Sequence, residues 1–214
     1  MKTVLKTTLI GALLFGCLNF AAAQVNFGVK AGLNLANLSY SDEFEDPDTK
    51  MLITFQVGAI ADIDISDNFA IQPGLLLVGK GARQEDSDLD FKASVNPMYL
   101  QVPVNFLYKG DMFYVGAGPY AAFGLFGKAK AEFAGEEDSE DLSFGNAEDD
   151  DLAALDFGAN IEAGVTLGQI RIGAGYALGL ANIIPSDQRE GSDASIKHGV
   201  ISVNVAYMFG GGDE

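Results

Sequence analysis

Beyond its first two dozen residues, the chain alternates apolar positions with polar or glycine positions at a period of two. That period places successive side chains on opposite faces of a β-strand. Eight segments carry it. In the first, about 25–35, Val25, Phe27, Val29, Ala31, Leu33 and Leu35 share one face, and Asn26, Gly28, Lys30, Gly32 and Asn34 share the other. The second, about 52–65, sets Ile53, Phe55, Val57, Ala59, Ala61, Ile63 and Ile65 against Thr54, Gln56, Gly58, Asp62 and Asp64. The third, about 69–80, is blurred by the run Leu75-Leu76-Leu77-Val78. The remaining five lie at about 99–108, 112–126, 155–167, 170–180 and 198–209, and each has one apolar face.

The connections alternate in length. Ser66-Asp67-Asn68, Lys109-Gly110-Asp111 and Gly168-Gln169 predict tight turns, whereas about 36–50, 81–98, 127–152 and 181–197 predict long polar loops. Outer-membrane barrels show this asymmetry, with short periplasmic turns and long external loops. A tilted membrane strand needs about 9–11 residues, and each segment meets or exceeds that. Aromatics cluster toward the segment ends: Phe69, Tyr108, Phe113, Tyr207 and Phe209 by the turns, and Tyr99, Phe126 and Phe157 by the loops. They are expected to form two interfacial girdles. The expected fold is an all-β, eight-stranded, antiparallel, up-and-down transmembrane β-barrel.

The first 23 residues read as a signal peptide. Lys2 and Lys6 precede a short apolar run, and Ala21-Ala22-Ala23 supplies small residues for cleavage between Ala23 and Gln24. Leu14-Phe15-Gly16-Cys17 partly resembles a lipoprotein site, but Phe15 is bulky there. The expected organisation is a signal peptide at 1–23 and a barrel domain at 24–214. Cleavage removes Cys17, the only cysteine, and with it any disulfide. No later segment has 18 uninterrupted apolar residues, so a membrane crossing has to use strands.

The 214 residues carry 30 Asp plus Glu against 13 Lys plus Arg, a net charge of −17. Loss of Lys2 and Lys6 takes this to −19 (−17 − 2). Such charge repels phosphate backbones and argues against a nucleic-acid partner. Glycine is abundant at 26 residues, and the charge is packed between apolar, glycine-rich stretches.

In order and spacing, several segments resemble the PorT-like outer membrane protein beta-barrel family of Bacteroidetes. They are FGVKAGLNLANL, FAIQPGLLLVGKG, YLQVPVNFLYK, FYVGAGPYAAFGL, DFGANIEAGVTLGQIRIGAGYALGLANI and a last strand ending Tyr207-Met208-Phe209. The resemblance implies a small barrel in the bacterial outer membrane, contacts with outer-membrane lipid and with the barrel-insertion machinery, and, by analogy alone, a contribution to secretion. The chain departs from the usual C-terminal aromatic, because Phe209 is followed by Gly-Gly-Gly-Asp-Glu.

Strand parity assigns Lys30, Asp62, Asp64, Lys80, Asp156, Glu162 and Arg171 to the lumen. Eight strands leave an interior just wide enough for side chains to fill, and an unpaired charge there is costly. These residues are therefore expected to pair as a structural plug, with a gated ion path as the alternative. The loop 127–152 carries nine carboxylates between Gly135 and Asp151. It reads as an extended, mobile loop that could be deleted without harm to the barrel, and as a site for a protein partner or weak divalent-cation binding. Asp86-x-Asp88-x-Asp90 fails as an EF-hand loop, with Phe91 in place of the required glycine and Pro97 in place of the glutamate. His198, the only histidine, has Ser195, Ser202, Asp187 and Asp193 near it in sequence, but no spacing that builds a hydrolase.

Three functions follow from this reading. The first is a non-enzymatic surface barrel without a cofactor, with a largely filled lumen and a structural, adhesive or assembly role. The alternatives are a narrow pore and a soluble periplasmic ligand-binding barrel.

Overall fold

A computed structural model describes residues 25–41, 49–86, 91–133, 136–189 and 193–209. The signal-peptide reading, its cleavage point at Ala23 and Gln24, Asp88, Asp90 and the tail after Phe209 lie outside the described residues.

Eleven strands form one sheet: β1 (Val25–Tyr40), β2 (Thr49–Lys50), β3 (Leu52–Ser66), β4 (Phe69–Gly79), β5 (Ala82–Asp86), β6 (Phe91–Lys109), β7 (Phe113–Phe133), β8 (Glu136–Asp141), β9 (Leu155–Leu167), β10 (Ile170–Gly179) and β11 (Ile196–Met208). Eight of them close a ring of antiparallel pairs. β1 pairs with β3, β3 with β4, β4 with β6, β6 with β7, β7 with β9, β9 with β10, β10 with β11, and β11 with β1. Closure leaves no open edge in the wall. The three tight turns fall at one end of the ring. Gly168, at φ 61, supplies the left-handed backbone for the turn between β9 and β10.

The period-two pattern becomes an outward and an inward face. Phe27, Leu33, Ile53, Phe157, Ile161, Val203 and Val205 are exposed outside, while Lys30, Asn34, Gln56, Asp62 and Asn204 are buried inside. The blurred third segment resolves the same way, with Leu75 outward and Leu76 and Val78 inward beside Ile60 and Met208. At the tight-turn end, Phe69 stacks on Phe106 at 5.5 Å, Tyr108 meets Phe113 at 5.8 Å, and Tyr207 meets Phe209 at 5.5 Å. This is the expected girdle. Phe126 and Phe157 face outward at the other end, but Tyr99 does not. It has inward parity on β6 and is 0% exposed.

The loop end departs further from expectation, because much of it is strand. β6 and β7 run past the ring and pair with each other from Phe91↔Phe133 to Met98↔Phe126. β5 and then β2 extend this sheet on one side, and β8 extends it on the other. The acidic segment is thus not an extended, mobile loop. Glu136–Asp141 pairs with Lys128–Phe133, and Lys130 bonds Glu137 at 2.6 Å while Lys128 lies 3.3 Å from Asp141. The Lys130 hydrogen bond, then its charge, holds the Glu137 carboxyl below its ordinary value. Two lysines at strand spacing neutralise the repulsion that acidity alone suggests. Farther on, Phe144 folds back onto Tyr99 at a ring distance of 5.7 Å. Deleting 135–151 would therefore remove a ladder partner of β7 and a ring from the barrel mouth.

Candidate functional site: the filled lumen

Each inward side chain is placed by strand parity, and small residues opposite make room for large ones. A Cβ on Gly173 would lie 2.2 Å from the Tyr114 hydroxyl, and one on Gly158 would lie 2.8 Å from the Tyr120 ring. Glycine-rich faces on β9 and β10 thus admit two inward tyrosines from β7.

The charges meet in layers. Nearest the loop end, Lys80 Nζ lies 2.7 Å from Asp156 Oδ2. Tyr120 donates its hydroxyl to the same oxygen at 3.3 Å. The Lys80 ammonium sits over the Tyr120 and Tyr99 rings, at 4.3 and 5.3 Å from their centroids. His198 closes this layer, with Nε2 3.4 Å from the Tyr99 hydroxyl. Below it, Lys30 pairs with Glu162, whose other oxygen accepts the Tyr114 hydroxyl at 2.7 Å. Next, Arg171 Nη2 lies 2.7 Å from Asp62 Oδ2, an ionic contact without the alignment of a hydrogen bond. Gln72 donates to Asp62 Oδ1 at 2.8 Å, and the Arg171 guanidinium lies 5.6 Å from the centre of the Tyr114 ring. At the tight-turn end, Lys109 bonds Asp64 at 2.5 Å, joined by Asn26 at 3.4 Å.

All seven residues singled out for the lumen in the sequence therefore point inward, and six of them pair among themselves. Asp64 instead takes Lys109, which the sequence reading placed in a turn. Tyr99, Tyr114, Tyr120, Gln72 and His198 were missed as members. Their signal was present, since Tyr114 and Tyr120 share parity with Gly116 and Gly118 on a face opposite Phe113 and Val115. Between the layers remains a cavity of about 40 Å³ with a mixed lining, polar at Lys30, Gln72, Gln101 and Glu162 and apolar at Ile60 and Leu76. That is room for about three water molecules. His198 is 2% exposed, with Tyr99 in ring contact and Lys80 nearby. The arrangement fills space and ties strands together across the lumen.

The profile of the outer membrane protein beta-barrel domain matches residues 20–185. No curated protein matches the chain in sequence. Among solved structures, the attachment invasion locus protein Ail of Yersinia pestis is similar at 12% identity, covering 87% of this chain and 99% of that one, with a TM-score of 0.48. Neisserial surface protein A is similar at 12% identity over 87% and 99%, with a TM-score of 0.43. The soluble periplasmic alternative falls, because an outward apolar band on every ring strand accompanies the match to a membrane family. With the ring closed, the band outside and most of its length matched, the chain belongs to the outer membrane protein beta-barrel domain family and resides in the bacterial outer membrane.

Proposed function

We propose that this protein is a non-enzymatic surface barrel, plugged by its own side chains, whose role lies at the loop end. That role is structural or adhesive, or accessory to surface assembly or secretion. The carrying observation is the stack of paired charges with a cavity of only about 40 Å³ between them. Eight strands leave little lumen to begin with, and these pairs occupy it. The test is conductance in planar lipid bilayers. Wild-type protein should show no steady single-channel openings. Steady openings would establish the narrow pore instead and defeat the plug.

The narrower affiliation, with PorT-like proteins of Bacteroidetes, rests on the quoted segments and is what brings secretion into the reading. Export is proposed to remove residues 1–23 and leave a barrel domain at 24–214. The last strand, ending Tyr207-Met208-Phe209, is proposed to present the barrel to the insertion machinery. No cofactor enters this reading.

The long connections are proposed to face outside the cell, as in other barrels with this asymmetry. A protein partner would meet them there. Glu148 is exposed in the turn after β8, beyond the paired strand. A glutamate-specific protease added to intact cells should therefore cut at Glu148 before it cuts at Glu137 or Glu140, which the ladder holds. Protection in intact cells, with cleavage only after outer-membrane disruption, would invert the topology.

A further inference from the structure

The cations of this acidic chain are not scattered. Of the 13 Lys and Arg, 11 lie after residue 23 (13 less Lys2 and Lys6). Four, Lys30, Lys80, Lys109 and Arg171, are used in the lumen. Five more lie on one face of the sheet that projects past the ring. The register pairs Lys50 with Arg83, Arg83 with Ser94 and Ser94 with Lys130, and it places Lys92 and Lys128 on that same side.

This face continues the outward wall of the barrel. Along β6, Tyr108, Phe106, Val104, Val102 and Leu100 are outward, and the same parity then gives Met98, Asn96, Ser94 and Lys92. Along β7, exposed Phe123 and Phe126 give way to Lys128 and Lys130, with Leu125 as the extra residue at the bulge. The outward surface thus changes from apolar to cationic within about one strand pair. At the tight-turn end, the same face carries Ile65, Phe69, Tyr108, Phe113 and Ile170, with no cation among the described residues. A cleft of about 350 Å³ spans the change, with Phe55, Met98 and Phe126 on its apolar side and Lys128 and Lys130 on the other.

We propose that this face binds the anionic phosphate headgroups of outer-leaflet lipids, with Arg83, Lys128 and Lys130 as the contact residues and the cleft taking the adjoining acyl region. Two features favour that occupant. The face is continuous with the lipid-facing wall, so a headgroup beside the barrel reaches it without leaving the membrane. Its charge is also complementary. It holds five cations against Glu85, Glu132, Glu137 and Asp141, a balance of +1 (5 − 4) in a chain of net −17. Those pairs are exposed, with the Lys128 and Asp141 side chains 60% and 86% accessible. Such pairs are weakly held and exchange partners readily.

The leaflet assignment rests on the orientation proposed above, but lipid choice at this face does not. Vesicles read lipid choice in either orientation, whereas protease accessibility reads the orientation, so the two fail separately. The experiment places the folded protein in phosphatidylcholine vesicles doped with spin-labelled phosphatidylglycerol or spin-labelled phosphatidylcholine. The fraction of motionally restricted label is then compared. The wild type should enrich phosphatidylglycerol by roughly threefold at low ionic strength, and salt should erode that preference. Arg83→Gln with Lys128→Gln and Lys130→Gln should abolish it, with heat-modifiable gel mobility showing that the barrel is still folded. Glu137→Gln, which releases Lys130 from its pair, should raise it. Unchanged enrichment in the triple variant would overturn the proposal and leave these cations to strand pairing or a protein partner. Unchanged enrichment on Glu137→Gln would overturn the role of Lys130.

Discussion

Asp156→Ala is expected to destabilise the folded barrel by about 3–5 kcal/mol, the cost of leaving a buried charge without its partner. The Lys80 side chain is 1% exposed and that of Asp156 is 0%. Among the described residues, Asp156 is the only acid within bonding distance of the Lys80 ammonium, which is otherwise faced by the Tyr99 and Tyr120 rings. The rings attract a cation but cannot replace a carboxylate's full charge. The measurement is a denaturant titration in lipid vesicles, followed by gel mobility. Replacing both partners, Lys80→Met with Asp156→Leu, should recover most of the loss, because an apolar pair of similar volume removes the desolvation cost as well as the attraction. If Asp156→Ala were as stable as the wild type, Lys80 would have to reach water, and the plugged lumen would be wrong. The same variant should also be the one most prone to conduct ions, since it opens the layer nearest the mouth.

The identity of the inward residues was legible in the sequence, but their partners were not. Period-two alternation puts Lys30 and Glu162 on the inward face directly, yet the two are 132 residues apart. Their meeting depends on ring closure and on the stagger between strands, which parity does not encode. Asp64 illustrates this. Parity placed it inside correctly, but register delivered Lys109 to it rather than one of the other lumen cations. Tyr99 was misread for a different reason. Its place at a strand end suggested an interfacial girdle, while its odd position on β6, beside outward Leu100 and Val102, already put it inside. β8 was missed because its acids were weighed alone. Lys128 and Lys130, two residues apart just before it, were the sign of a facing strand. The fold class was legible because it rests on a pattern repeated eight times, and the loop end was not, because short polar strands carry no apolar period.

Val104→Arg and Ser94→Arg form a pair of opposite expectations on one strand and one face. Val104 is outward on β6, 42% exposed, and central in the run from Leu100 to Tyr108. An arginine there would sit near the middle of the hydrocarbon, where a lipid-facing cation costs about 2–4 kcal/mol. Ser94 has the same outward parity but lies past the bulge, paired with Arg83 and Lys130 in the projecting sheet. An arginine there meets headgroups or water, and the cost falls to about 0–1 kcal/mol. Folding yield and denaturant midpoint in lipid vesicles should therefore drop for Val104→Arg and stay near wild type for Ser94→Arg. The contrast isolates depth, because parity, strand and substituent charge are held fixed. Equal and small losses would mean that the outward face of β6 does not meet lipid at all. Equal and large losses would mean that the projecting sheet is immersed in the membrane, and the apolar-to-cationic change at Met98 and Phe126 would no longer mark its boundary.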